Sequence, residues 1–106
     1  MEILFSTLEL EAIAMSKSAL SKVFGGDSDV ACRRLYELAA MDTLAVAASL
    51  PMHKLTQAGK SRFSISITPT YKILFEAILA SEVGSSGSEL DLGSVTAIRI
   101  IAMGTL

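Results

Sequence analysis

The chain has no tryptophan, one cysteine, one histidine and two prolines in 106 residues. A lone cysteine, Cys32, excludes an internal disulfide. It stands in an Ala-Cys-Arg-Arg context with no histidine nearby to act as its base, so a packed or half-exposed thiol is expected rather than a nucleophile. One His and one Cys far apart make no recognisable metal-ligand set. No glycine-rich phosphate loop is present: Gly25-Gly26 leads to Asp27, and Gly84, Gly87 and Gly93 lack a following Lys-Ser/Thr. No cofactor or metal is therefore expected.

Long apolar runs are also lacking. Every stretch is interrupted by Glu, Lys, Arg or Asp well before the ~20 residues that a membrane-spanning helix needs. The opening MEILFSTLELEAIA carries acids where a signal peptide carries positive charge. The expectation is a cytoplasmic protein with no membrane partner. A chain of this length is expected to form a single domain over residues 1–106 with one modest core. Its 51 % hydrophobic and 19 % charged content fits a packed fold rather than disorder.

One absence is local. From Thr43 to Phe75 there is no acidic residue, yet Lys54, Lys60, Arg62 and Lys72 all fall there, beside His53. The chain as a whole carries net charge −2, so this window is a cationic island in an acidic protein. A cationic island with one titratable imidazole suits anion handling or RNA cleavage. The plainer reading is a strand edge defended by charge.

Periodicity supplies the elements. Ile3-Leu4-Phe5 predicts a first strand. Thr7 is placed to cap a helix from Leu8 to about Phe24, stopped by Gly25-Gly26. Asp27 or Asp29 opens a second helix through Met41, with Ala31, Leu35, Leu38 and Met41 at core spacing. Asp42-Thr43 restarts a short helical segment to Leu50, closed by Pro51. The period then changes. Phe63, Ile65 and Ile67 alternate with polar residues, Thr68-Pro69-Thr70 turns the chain, and Tyr71 to Ile78 returns as a hairpin strand. Ser81 to Ser88, with two Gly and four Ser, reads as a loop. Val95 to Met103 reads as an internal strand, in which Arg99 pairs with a carboxylate or reaches an open sheet face. Two helices and a three-stranded meander, with a strand before them, make an α+β layer pair. The helices should cover one sheet face and leave the other for a partner or substrate.

Several segments, in order, resemble the HigB-like killer proteins of the RelE/ParE toxin superfamily. They are RRLYELAA at 33–40, LPMHKL at 50–55, GKSRFSISI at 59–67, YKILFE at 71–76 and LDLGSVTAIRI at 90–100. The resemblance runs from about Cys32 to Ile101, some two-thirds of the chain. It implies a RelE/ParE-like fold with a short N-terminal strand and two N-terminal helices on a small, mainly antiparallel sheet. It also implies ribosome-dependent cleavage of messenger RNA, as the toxin of a type II toxin–antitoxin module for plasmid maintenance. The implied partners are the ribosome, its message and a cognate antitoxin, expected to be a helix-turn-helix protein. His53, Lys60, Tyr71 and Lys72 fall on matching positions, with Lys72 replacing the usual Arg and so losing bidentate phosphate binding.

The chemistry gives these residue types roles. Metal-independent RNA cleavage uses the 2′-hydroxyl as nucleophile, with a base, an acid and cations around the phosphorus. His53 is the natural acid or base. Lys60, Arg62 and Lys72 are natural phosphate clamps, with Lys54 near the rim, and Tyr71 could stack on a base. Expected catalytic residues are thus His53, Lys60, Arg62, Tyr71 and Lys72, and expected RNA contacts are Lys54, Lys60, Arg62 and Lys72. A partner is expected over that basic rim or beside Arg33-Arg34, and not at Ser81–Ser88. Two departures from the family pattern keep a second reading open. The final residues are Ile-Ile-Ala-Met-Gly-Thr-Leu rather than an acidic stretch with Tyr-His, and the isoelectric point is about 5.3. The second reading is a catalytically degenerate protein of the same fold, acting as a non-enzymatic protein-binding module.

Overall fold

The computed structural model describes residues 1–78 and 91–106, so the expected loop at Ser81–Ser88 lies outside the described residues. Strand β1 (Glu2–Phe5) leads to helices α1 (Leu8–Ala14), α2 (Lys17–Phe24), α3 (Ser28–Ala40) and α4 (Leu44–Ser49). Strands β2 (Thr56–Gln57), β3 (Arg62–Ser66), β4 (Lys72–Ala77) and β5 (Ala97–Gly104) follow. They form a five-stranded sheet of order β1-β5-β4-β3-β2, antiparallel except where β1 runs parallel to β5. The α+β class agrees with the sequence expectation. The sheet is larger than a meander plus one strand because Thr56–Gln57 adds a short edge strand to β3.

The expected helix over Leu8–Phe24 is two helices. Thr7 caps α1 as anticipated, its hydroxyl accepting from the Leu10 amide at 3.1 Å. At Ser16 the backbone turns extended, and the Ser16 hydroxyl accepts the Ala19 amide at 3.2 Å. A serine that caps a new helix offers the backbone an alternative to continuing the old one. Gly25 stops α2 with φ of +58°, a left-handed value that a side chain rarely adopts. Asp27 holds the N-cap position of α3 without a side-chain capping bond, and α3 ends at Ala40, with Met41 extended beyond it.

Ala31, Leu38 and Met41 are buried and Leu35 packs against them, so the apolar stripe of α3 faces the core as the spacing predicts. They join Leu20 and Phe24 of α2 with Phe63, Ile65, Ile73, Phe75, Ile98 and Ile100 of the sheet. A bulge completes this face. Leu74 pairs with Ala102 but Phe75 pairs with Ile100, so Ile101 is skipped. The skip lets Ile98, Ile100 and Met103 all contribute to the core from one strand. Strand β5 is flanked by β1 and β4, as its apolar run anticipates. No helix among the described residues is long and apolar enough to cross a membrane.

Candidate RNA-facing sheet surface

Alternation sets which side chains share a face. With Phe63, Ile65, Ile73 and Phe75 turned to the core, Arg62, Ser64, Ser66, Lys72, Leu74 and Glu76 stand on the second face. Pairing extends the rows across the sheet. Arg62 opposes Glu76, Glu76 opposes Arg99, and Arg99 opposes Leu4. In the neighbouring rows Ser64 opposes Leu74, and Ser66 opposes Lys72. The face thus carries Arg62, Arg99 and Lys72 against Glu76, with two serine hydroxyls and leucine surface beside them.

Glu76 organises this group. Its Oε1 accepts a hydrogen bond from Arg99 Nη1 at 2.7 Å. Its Oε2 lies 4.0 Å from Arg62 Nε, at the outer limit of an ion pair. The Arg62 side chain is 55 % exposed, that of Arg99 42 % and that of Glu76 27 %, so the guanidiniums keep N–H groups for an incoming anion. Lys60, in the turn between β2 and β3, is exposed, and Lys54 is exposed with a left-handed φ of 46°. Among the described residues neither these two lysines nor Lys72 makes an ion pair.

The structure divides the expected site. His53 closes the short helical turn Pro51–His53 and is completely buried. Its Nε2 lies 3.1 Å from Glu37 Oε1, on α3. A carboxylate only accepts, so Nε2 carries the proton and donates it. The same Oε1 accepts from Arg34 Nη1 at 2.9 Å. His53 is therefore held in the helix layer, away from the face of Arg62 and Lys72, because its partner is a helix residue. Arg34 shares that commitment and is 14 % exposed, so Arg33-Arg34 is not a two-arginine patch. Arg33 alone is exposed. Tyr71 also turns to the helices. Its ring meets Phe24 edge to face at 5.5 Å, so it stands in packing rather than beside Lys72 as a stacking platform. Lys60, Arg62 and Lys72 remain on or beside the open face.

Glu76 and the serines were not among the expected site residues, although one signal reaches them. Counting outward from Pro69 in equal steps pairs Arg62 with Glu76 and Ser66 with Lys72, which is the register observed. The placement of Arg99 beside Glu76 depends on the bulge at Ile101 and has no such local signal.

A concavity of about 870 Å³ lies between the α1–α2 turn, β1 and α3. Met15, Cys32, Leu35 and Tyr36 line it, with Arg33 at the rim. Tyr36 and Met15 are largely exposed there. No family model, no curated protein and no solved structure matches this chain.

Proposed function

We propose that the chain is the toxin of a type II toxin–antitoxin pair, a ribosome-dependent endoribonuclease whose RNA-facing surface is the outer face of the sheet. One observation carries the reading. Arg62, Arg99 and Lys72 project from three neighbouring strands onto one face, the two arginines flanking Glu76 and Lys72 standing four residues along β4 beside Ser66. Cations with free N–H groups and hydroxyl donors on a part-exposed sheet face suit a phosphodiester backbone. Leu4 and Leu74 add apolar surface on which a base can rest. The ordered resemblance from Cys32 to Ile101 supports the same reading, as does an α+β architecture with a short first strand on a mainly antiparallel sheet. RelE/ParE membership is part of the proposal.

Expression of the chain alone in bacteria, with growth and transcript ends followed, tests it. Arrest with new 5′ ends in translated messages is the expected result. Normal growth with intact messages sinks the reading.

A second reading is a non-enzymatic module of the same fold that holds a partner protein. The burial of His53 favours it, since that removes the chain's one imidazole from the RNA-facing surface. Full toxicity is then absent, and a partner binds without any change in message ends.

A further inference from the structure

We infer that Glu76 is the general base of RNA cleavage on the sheet face, with Arg62 and Arg99 holding the scissile phosphate. The inference rests on the endoribonuclease reading above and adds the residue that performs the proton transfer. His53 cannot perform it from its buried place against Glu37. A base must instead stand on the face that carries the phosphate-binding cations. Among the described residues of that face, Glu76 is the carboxylate set between two guanidiniums.

The geometry leaves one oxygen free to act. Oε1 is engaged by Arg99 Nη1 at 2.7 Å, which fixes the carboxylate's orientation. Among the described residues Oε2 accepts no hydrogen bond, and Arg62 Nε lies 4.0 Å from it, beyond hydrogen-bond length. Each arginine keeps further N–H groups for the two non-bridging phosphate oxygens. Lys72 lies four residues along β4 on the same side, roughly 13 Å away, about two steps along an extended RNA backbone. A phosphate between Arg62 and Arg99 puts the adjoining 2′-hydroxyl above Oε2.

The step balances without an outside oxidant or reductant. Oε2 takes the proton of the 2′-hydroxyl as its oxygen forms a bond to the adjacent phosphorus. The bond from phosphorus to the 5′-oxygen breaks, and its electron pair leaves on that oxygen, which takes a proton from water. The products are a 2′,3′-cyclic phosphate and a 5′-hydroxyl. The hydroxide left by that water recovers the proton from Glu76. Arg62 and Arg99 meet the charge that grows on the equatorial oxygens.

The test compares wild type with Glu76→Gln and Glu76→Asp on messenger RNA in translating ribosomes, alongside RNA affinity and thermal stability of each free protein. General-base removal costs on the order of 100-fold in rate or more. The expected result is that loss in E76Q, with RNA affinity kept or increased because a negative charge leaves the face. Residual E76Q cleavage should rise about tenfold per pH unit, as hydroxide replaces the base, while the wild-type rate levels off; E76D should recover part of the rate. Cleavage by E76Q within about threefold of wild type overturns the assignment and leaves the endoribonuclease reading standing. Loss of rate in step with lost RNA affinity or lost melting temperature makes Glu76 a structural ion-pair residue and overturns it too. A wild-type protein that neither cuts nor binds RNA removes both readings together.

Discussion

Glu37 Oε1 accepts hydrogen bonds from His53 Nε2 at 3.1 Å and from Arg34 Nη1 at 2.9 Å. One carboxylate oxygen therefore ties the turn Pro51–His53 to helix α3. Among the described residues neither His53 Nδ1 nor Arg34 Nε finds a hydrogen-bond partner, so Glu37 Oε1 is the one acceptor that both side chains use. We predict that Glu37→Ala lowers unfolding free energy by about 1–3 kcal/mol, since it strands a buried guanidinium and a buried imidazole together. Glu37→Gln, which keeps one acceptor oxygen, should cost less. Urea titration of the three proteins checks the order. Equal stability of E37A and wild type would falsify the structural role given to His53.

The aromatic pair at the other end of the helix layer makes a separate prediction. Phe24 is fully buried and meets Tyr71 edge to face. Phe24→Ala should cost about 3–5 kcal/mol, the usual range for a core phenylalanine. Tyr71→Phe keeps the ring and should change stability by well under that amount. If Tyr71 packs rather than stacks on RNA, Tyr71→Ala lowers the melting temperature and leaves RNA affinity of the folded protein unchanged. A loss of affinity in Y71A at full folding, read by fluorescence anisotropy, goes against that assignment.

Ser16 is the hinge between α1 and α2. Its hydroxyl accepts the Ala19 amide, so Ser16→Ala should cost about 1 kcal/mol, a typical N-cap value. Ser16→Asp should restore the cap and recover most of that loss. Circular dichroism during thermal unfolding gives both numbers, and a silent S16A variant argues for an uninterrupted helix.

The parts of the fold that were legible in the sequence are those whose period is local. Phe63, Ile65 and Ile67 alternate and Pro69 marks the turn, so the β3–β4 hairpin and its two faces follow from neighbouring residues. Ala31, Leu35 and Leu38 recur at helical spacing, and the same residues pack in the core. The break at Ser16 was hidden because apolar residues continue on both sides of it and a serine costs a helix little. Strand β2 has two residues, too few to show any alternation. The sequence offers His53 as an acid or base because its chemistry is legible and its partner is not: Glu37 lies sixteen positions earlier, on another element. The Glu76–Arg99 contact joins positions twenty-three apart through a bulge, which no local pattern announces.

The last prediction separates the sheet face from the helix face as the surface that meets RNA. Binding through phosphate contacts releases counterions, and the logarithm of affinity falls with the logarithm of salt in proportion to the cations engaged. For a single strand, each engaged cation contributes about 0.7 to that slope. Arg62 and Lys72 stand on the open face, while Arg33 is exposed on α3 beside the apolar concavity. Arg62→Ala and Lys72→Ala should each lower the slope by about 0.7, and the double variant by about twice as much. Arg33→Ala should leave it unchanged. Affinity for a short unstructured RNA, measured across a salt series for wild type and the four variants, decides between the faces. A slope reduced by R33A and untouched by R62A and K72A moves RNA to the helix layer, and leaves the cations of the sheet to a protein partner.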